Sequence, residues 1–352
     1  MLPNSLNNPL DVEDLFDDEL LQDKEIRNLK HKLKLVSTKY QTALDTISKL
    51  EVALKTTLDI QAVIKKQQAV KLTSLVGEGP PEAIPILLWS DWHVGEMVDP
   101  ATVNHKNSYN PDICQERANK LFCNTADMIN MLKSRYTINN LIVWLGGDFV
   151  TGYIHAELME SNAMAPTQEC LFVSSLIKSG LNYLIENTGV SNVIVPCSFG
   201  NHGRLTDHIR ISTGHVNNIE WFMYQTLAEQ YKLHDKITFY ISDGHVMYME
   251  VWGKMLRFTH GDAIRYGGGT NGVAVPISKW ISKHDQIEPA DMTFLGHFHN
   301  TCFDKRFTVN NCLIGATPYS ARLGFPVEPP DQSLVLLEKE KGFTLRVAIA
   351  AE

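Results

Sequence analysis

No run of 18 consecutive apolar residues occurs anywhere in the 352-residue chain, which excludes a hydrophobic transmembrane helix. The N-terminus, MLPNSLNNPLDVEDLFDDELL, lacks a basic stretch followed by an apolar core, so no secretory leader is expected. None of the six cysteines (114, 123, 170, 197, 302, 312) forms a C-x-x-C pair. That argues against a disulfide framework or a zinc knuckle, and for reduced thiols in a cytoplasmic protein. Positive charge is not in excess either. There are 32 basic and 40 acidic residues, a net charge of −8. The first 80 residues hold 11 basic and 12 acidic side chains, leaving 21 and 28 for the rest. A general nucleic-acid coat does not fit this balance. A nucleic-acid enzyme still does, because divalent ions neutralise carboxylates inside a site.

Glycine and aromatic residues are scarce before residue 78 and frequent after it. Within the poor region, Ile26, Leu29, Leu33, Val36, Tyr40, Ala43, Ile47, Leu50 and Leu54 recur in a 3–4–3–4 spacing. A narrow seam kept up for four turns of the heptad predicts a self-associating coiled coil over 26–54, within a helix spanning 26–76. The competing reading is a helix packed on its own catalytic domain. Ahead of it, residues 11–25 interleave eight acidic side chains with Val12, Leu15, Phe16, Leu20 and Leu21. These carboxylates suit a solvated helix start; a segment that binds a protein partner is the alternative. GEGPPEAIP, at 77–85, breaks the helix and is expected to be the linker to a catalytic domain over 86–352.

Beyond the linker, apolar strand-like runs fall at 84–90, 141–145, 193–198, 237–241, 246–251, 255–259, 292–295, 312–315, 334–337 and 344–349. Helical patterns fill roughly 112–134, 168–187, 217–231 and 276–284. Strands alternate with helices early and follow one another late, which predicts an α/β fold with a layered sheet core and helices outside.

Five of these strands end in short runs of Asp, Asn, His and Gly: SDWHVG (90–95), GGD (146–148), GNHGR (200–204), THGD (259–262) and GHFH (296–299). Loops at strand ends are where a rigid scaffold presents reactive groups. A single D-x-H triplet carries little weight, and the chain holds a decoy, Asp243-Gly244-His245, expected to be a hairpin turn between two strands. A lone histidine is more often a satisfied core residue than a ligand. Five fragments in one order, all supplying hard or borderline ligands, outweigh that reading. Imidazole and carboxylate without thiolate suit Mn2+, Fe or Zn2+.

The order D-x-H, G-D, G-N-H, H-G-D, G-H-x-H resembles the calcineurin-like metallophosphoesterase superfamily over residues 90–299. The resemblance implies a four-layer α/β/β/α sandwich and two divalent metal ions, with Mn2+ the first choice and Fe or Zn2+ also compatible. It implies that Asp91, His93 and His299 bind one ion and that Asp148 bridges. Asn201, His260 and His297 would bind the other, while His202 faces the substrate as a general acid without touching metal. One position departs: the family often has Asp or Glu after G-N-H, where this chain has Gly203.

Further candidates surround this set. Arg204 could hold a phosphate oxygen or be an ordinary surface residue, and His155, seven residues past Asp148, is either in the site or a helix-start residue. RYGGGTNGVAVP, at 265–276, could cradle a phosphate or merely cover the site. Among substrates, the resemblance to SbcD-type and phage DNA nucleases favours a phosphodiester in nucleic acid. The alternatives are a phosphatase or cyclic-nucleotide phosphodiesterase acting on small molecules or phosphoproteins, and a non-catalytic assembly protein.

Overall fold

The structure, a computed structural model, describes residues 26–51, 80–265, 272–325 and 328–352. The chain divides into two units, Met1–Gln68 and Ala69–Glu352. In the first, residues 26–51 form one helix, α1, exposed along its whole length. Its seam shares that exposure, with Leu33 70%, Tyr40 64% and Leu50 64% accessible. The acidic segment 11–25, the predicted helix from 52 to 76 with the end of its seam, and the first linker residues, 77–79, lie outside the described residues. No helix among the described residues is long and apolar enough to cross a membrane.

In the second unit β1 (Ala83–Trp89) starts one residue before the apolar run expected at 84–90. It pairs in parallel with β2 (Asn140–Leu145), which is followed by β3 (Asn192–Cys197) and β4 (Ile237–Ile241). On its other side stand β10 (Asp331–Glu338) and β11 (Gly342–Ala350), both antiparallel. This six-stranded sheet runs β11-β10-β1-β2-β3-β4. The second sheet runs β5-β6-β7-β9-β8, from β5 (Met247–Val251), β6 (Lys254–Phe258), β7 (Met292–Leu295), β8 (Cys302–Phe303) and β9 (Phe307–Val309).

Strand periodicity explains the layering. Leu87, Trp89, Val143 and Val195 face one way and join a core with helices α2 (Pro111–Lys133), α4 (Pro166–Thr188) and α5 (Ile219–Gln230). Their neighbours Ile86, Leu88, Ile142, Trp144 and Ile194 face the other way, against Met249, Leu256, Phe258 and Phe294 of the second sheet. The outer face of that sheet packs Leu295, Phe307 and Val309 against Ile277 and Ile281 of α6 (Ala274–His284). Parallel strands buried on both faces need near-continuous apolar runs, which these have. The result is the four-layer α/β/β/α order. Two short helices complete the unit: α3 (Leu158–Ser161), which begins just after His155, and α7 (Pro318–Leu323), which lies outside the helical patterns of the sequence.

Two local expectations fail. Residues 312–315 are not a strand. Cys312, Leu313 and Ile314 are buried as an apolar run should be, but the Leu313 and Ile314 carbonyls accept from the Arg117 guanidinium, not from a neighbouring strand. The strands there are β8 and β9. Asp243-Gly244-His245 makes no hairpin either. It connects β4 of the first sheet to β5 of the second, so its turn carries the chain between layers.

Candidate metal centre

Register brings the ligand loops together. Trp89 is opposite Leu145, and Leu145 opposite Cys197, so β1, β2 and β3 end level on one edge. Asp91 and His93 follow β1, Asp148 follows β2, and Asn201 and His202 follow β3. From the second sheet, His260 follows β6, while His297 and His299 follow β7. Backbone bonds tie the loops: Asp91 N–H donates to the Gly147 carbonyl, His93 N–H to that of Asp148, and Gly296 N–H to that of His260.

Eight described non-glycine residues have positive φ, and five of them are candidate ligands: Asp91 (58°), His93 (47°), Asp148 (52°), His297 (69°) and His299 (51°). Each such conformation costs of order 1–3 kcal/mol and persists only where surrounding structure enforces it. Gly296 shows the enforcement. A methyl group there would lie 2.3 Å from Asp91 Oδ2, and the next N–H, of His297, donates to both Asp91 oxygens at 3.0 and 3.2 Å.

Three side-chain groups could each hold an ion: Asp91–His93–His299, His93–Asp148–His202 and Asp148–His260–His297. His93 and Asp148 belong to two groups each, so the three form one continuous cluster. His93 Nε2 is 3.1 Å from His299 Nε2, which is 3.4 Å from Asp91 Oδ1. His260 Nε2 is 3.0 Å from Asp148 Oδ2 and 3.2 Å from Asn201 Oδ1. Neighbouring ligands about 2.1 Å from one cation stand roughly 3–3.5 Å apart, so the donor spacing fits divalent ions. Buried His93 Nδ1 has no hydrogen-bond partner. Two other rings are oriented: His260 Nδ1 lies 2.8 Å from the Gly146 carbonyl and His202 Nδ1 2.7 Å from that of Thr151. Donation through Nδ1 leaves each Nε2 facing the cluster.

Electrostatics separates the imidazoles. Burial, with help from His260, lowers His297 to about 4. Burial, then His202 and His299, holds His93 well below its ordinary value. Both shifts favour the neutral imidazole, the form that binds a metal ion. Burial also opposes charge on His260, yet the Asp148 carboxylate raises it to about 10. Burial pushes Asp148 upward, but His260 and His202 hold it well below the usual carboxylate range.

The surroundings contain residues that sequence reasoning missed. Glu220, the second residue of α5, is fully buried and accepts from the backbone N–H groups of Asp148, Phe149 and Gly200 at 3.1, 2.7 and 2.8 Å. One carboxylate thus fastens the β2 and β3 loops to each other. Asn218 caps the helix, accepting from Glu220 N–H. Glu169 of α4 does the same for Thr151 and Gly152, at 2.9 and 3.0 Å. His202 is oriented by a backbone carbonyl, not by an acidic neighbour.

Of the outer candidates, His155 is exposed, with its ring centre 6.5 Å from that of His202. It sits at the rim and joins none of the ligand groups. Arg204 is half-buried and donates through Nε to the Thr206 carbonyl at 2.9 Å. It lines a cleft with Asn201. In the glycine-rich stretch, 266–271 lie outside the described residues, and α6 already begins at Ala274.

No family model and no curated protein match the chain. Solved structures do. Vps29 of Entamoeba histolytica, complexed with Zn2+, is 10% identical over 75% of this chain and 99% of that one, with a TM-score of 0.29. Vps29 of Chaetomium thermophilum is 11% identical over 76% and 97%, with a TM-score of 0.29. A hypothetical protein from Pyrococcus horikoshii OT3 is 9% identical over 76% and 89%, with a TM-score of 0.35. Identities this low bear on neither substrate nor metal.

Proposed function

We propose that the chain is a two-metal-dependent phosphoesterase that hydrolyses phosphodiester bonds, and that its substrate is nucleic acid. The observation that carries this is the convergence of five strand ends on one buried cluster, with five of seven candidate ligands in left-handed backbone and their donor atoms 3.0–3.4 Å apart. Asp91, His93 and His299 would hold one divalent ion and Asn201, His260 and His297 the other, with Asp148 between them. Mn2+ is the preferred occupant, and Fe or Zn2+ suits the same donors. Bound ions would activate water and offset charge on the phosphoryl oxygens.

The side chains then have separable tasks. Asp148 keeps its position through the His202 N–H, which donates to Oδ1 at 2.8 Å. His202, braced by the Thr151 carbonyl, presents Nε2 and in its protonated form would give a proton to the leaving oxygen. Burial lowers its pKa, against the opposing pull of Asp148 and Thr151. His155 at the rim would contact the substrate beside His202, and Arg204 would steady a phosphate oxygen.

The test is hydrolysis of bis(p-nitrophenyl) phosphate, p-nitrophenyl phosphate and labelled DNA with added Mn2+. Cleavage of the diester and DNA supports the reading. Preference for the monoester, with DNA left intact, would replace it with a phosphatase.

A further inference from the structure

Beside the cluster lies a cleft walled by the segment between the G-N-H motif and α5. It shares Asn201 with the candidate metal ligands and reaches Asp262, two residues past His260. An ester whose phosphorus sat at the cluster would extend one arm into it. Arg204 and Arg210 line the cleft against one carboxylate, that of Asp262. The Arg204 Nε bond to the Thr206 carbonyl fixes its head group, which leaves the two terminal nitrogens as a fork for phosphate. His245 lies edge-on to Phe199, ring centres 5.1 Å apart. Ile209 adds accessible apolar surface, and Leu205 and Ile211 on the same segment are exposed as well, the latter at 83%.

Guanidinium groups interleaved with apolar and aromatic surface match a nucleotide, which pairs a charged phosphate with a flat, weakly polar base. They do not match inorganic phosphate, phosphoserine or phosphothreonine, which offer no flat group to the apolar part. The chain is acidic overall, so recognition of a polyanion must be local.

We propose that this cleft is the subsite for the nucleotide next to the scissile phosphate, with Arg204 and Arg210 receiving its flanking phosphate. The substrate class is therefore a single-stranded oligonucleotide gripped over two or three residues, not a long duplex footprint. This rests on the phosphodiesterase reading of the neighbouring cluster.

The experiment crosses substrates with variants. Initial rates are measured with Mn2+ on bis(p-nitrophenyl) phosphate, dTpdT and dTpdTpdT, for the natural chain and for Arg210→Ala and Arg210→Lys. In parallel, fluorescence anisotropy follows a labelled dT oligomer binding to chelator-treated protein, which needs no turnover. Arg210 is exposed, so its replacement leaves folding intact, checked by the melting temperature. The natural chain should prefer the trinucleotide by at least about tenfold in kcat/KM, as expected for one charge-assisted contact. Arg210→Ala should erase most of that preference and weaken oligomer binding by a similar factor, and Arg210→Lys should restore part of both. Salt should weaken binding with a shallow log–log slope, roughly −0.7 for one phosphate on a single strand. A preference that survives in Arg210→Ala, no preference in the natural chain, or a slope of about −4 or steeper would each overturn the subsite. Inertness towards all three esters would instead sink the phosphodiesterase reading, a distinguishable outcome.

Discussion

Gly203 stands directly against Glu220: a methyl group on Gly203 would lie 2.8 Å from Glu220 Cγ and 2.5 Å from Asn218 Oδ1. The position that often carries an acid in the resembling family is bare here because another acid reaches in from α5. That acid does not touch His202. It holds the backbone of the loops that carry Asp148, Asn201 and His202.

Replacing Glu220 should therefore disturb metal binding before it disturbs anything else. Glu220→Gln keeps the shape but turns one acceptor oxygen into a donor facing backbone N–H groups. Metal affinity, read by calorimetric titration, is expected to fall by about 10–100-fold. Gly203→Ala should lower stability by roughly 1–3 kcal/mol through overpacking. An unaltered metal titration in Glu220→Gln would show that the carboxylate serves folding alone.

Metal loading should itself stabilise the chain. Ions that bind only the folded cluster add roughly 2.7 kcal/mol at a hundredfold excess over Kd. The melting temperature should rise with Mn2+ and return with chelator. Because Asp148 lies in two of the ligand groups, Asp148→Asn should remove most of this rise. Elemental analysis should then find fewer than two ions per chain.

His202 can be separated from the ligands by the leaving group. A general acid matters most where the departing oxygen is basic. His202→Ala should cut kcat on an oligonucleotide by about 10²–10⁴-fold and on bis(p-nitrophenyl) phosphate much less, with metal content retained. His155→Ala, at the exposed rim, should act mainly on KM. Equal losses on both esters in His202→Ala, together with lost metal, would make His202 a ligand, as its grouping with His93 and Asp148 allows.

Glu169 gives a pH signature. Burial raises its pKa to about 7, against the pull of the Gly152 and Thr151 N–H bonds. Between the ordinary value of 4.5 and about 7, the folded chain keeps a proton that the unfolded chain releases. Stability should then fall as pH rises through that window, the reverse of a salt-bridged carboxylate. Denaturant unfolding of metal-free protein from pH 5 to 8 should show this slope, shallower in Glu169→Gln. Identical slopes would show that Glu169 does not set this pH dependence.

How far the sequence reveals the site follows from its physics. The ligand loops are legible because each ends an apolar strand and carries a short polar run, as GHFH does after β7. The layering is legible too, since parallel strands buried on both faces read as unbroken apolar runs. Glu220 is not, because its role depends on α5 approaching two loops from outside. The available signals were Gly203 in a position suited to an acid and the Asn218–Glu220 pattern of a capped helix start. Residues 312–314 mislead for a related reason: burial alone looks like a strand, while their carbonyls are satisfied by Arg117, nearly 200 residues away in sequence.

The exposed seam of α1 leads to a last expectation, that residues 26–54 pair with a second copy of the chain. Ile26, Leu29, Leu33, Val36, Tyr40, Ile47 and Leu50 are all 47–70% accessible. A 3–4 spacing kept this long is complementary to itself, each side chain entering a gap on an identical helix. Twenty-six helical residues span about 39 Å, enough for more than three heptads of contact. Sedimentation equilibrium should find a dimer or higher oligomer for the natural chain. Leu33→Asp with Val36→Asp should leave a monomer that retains the melting temperature of the second unit, since neither residue belongs to it. A natural chain that sediments as a monomer at high micromolar concentration would refute self-pairing and leave the seam for a different protein.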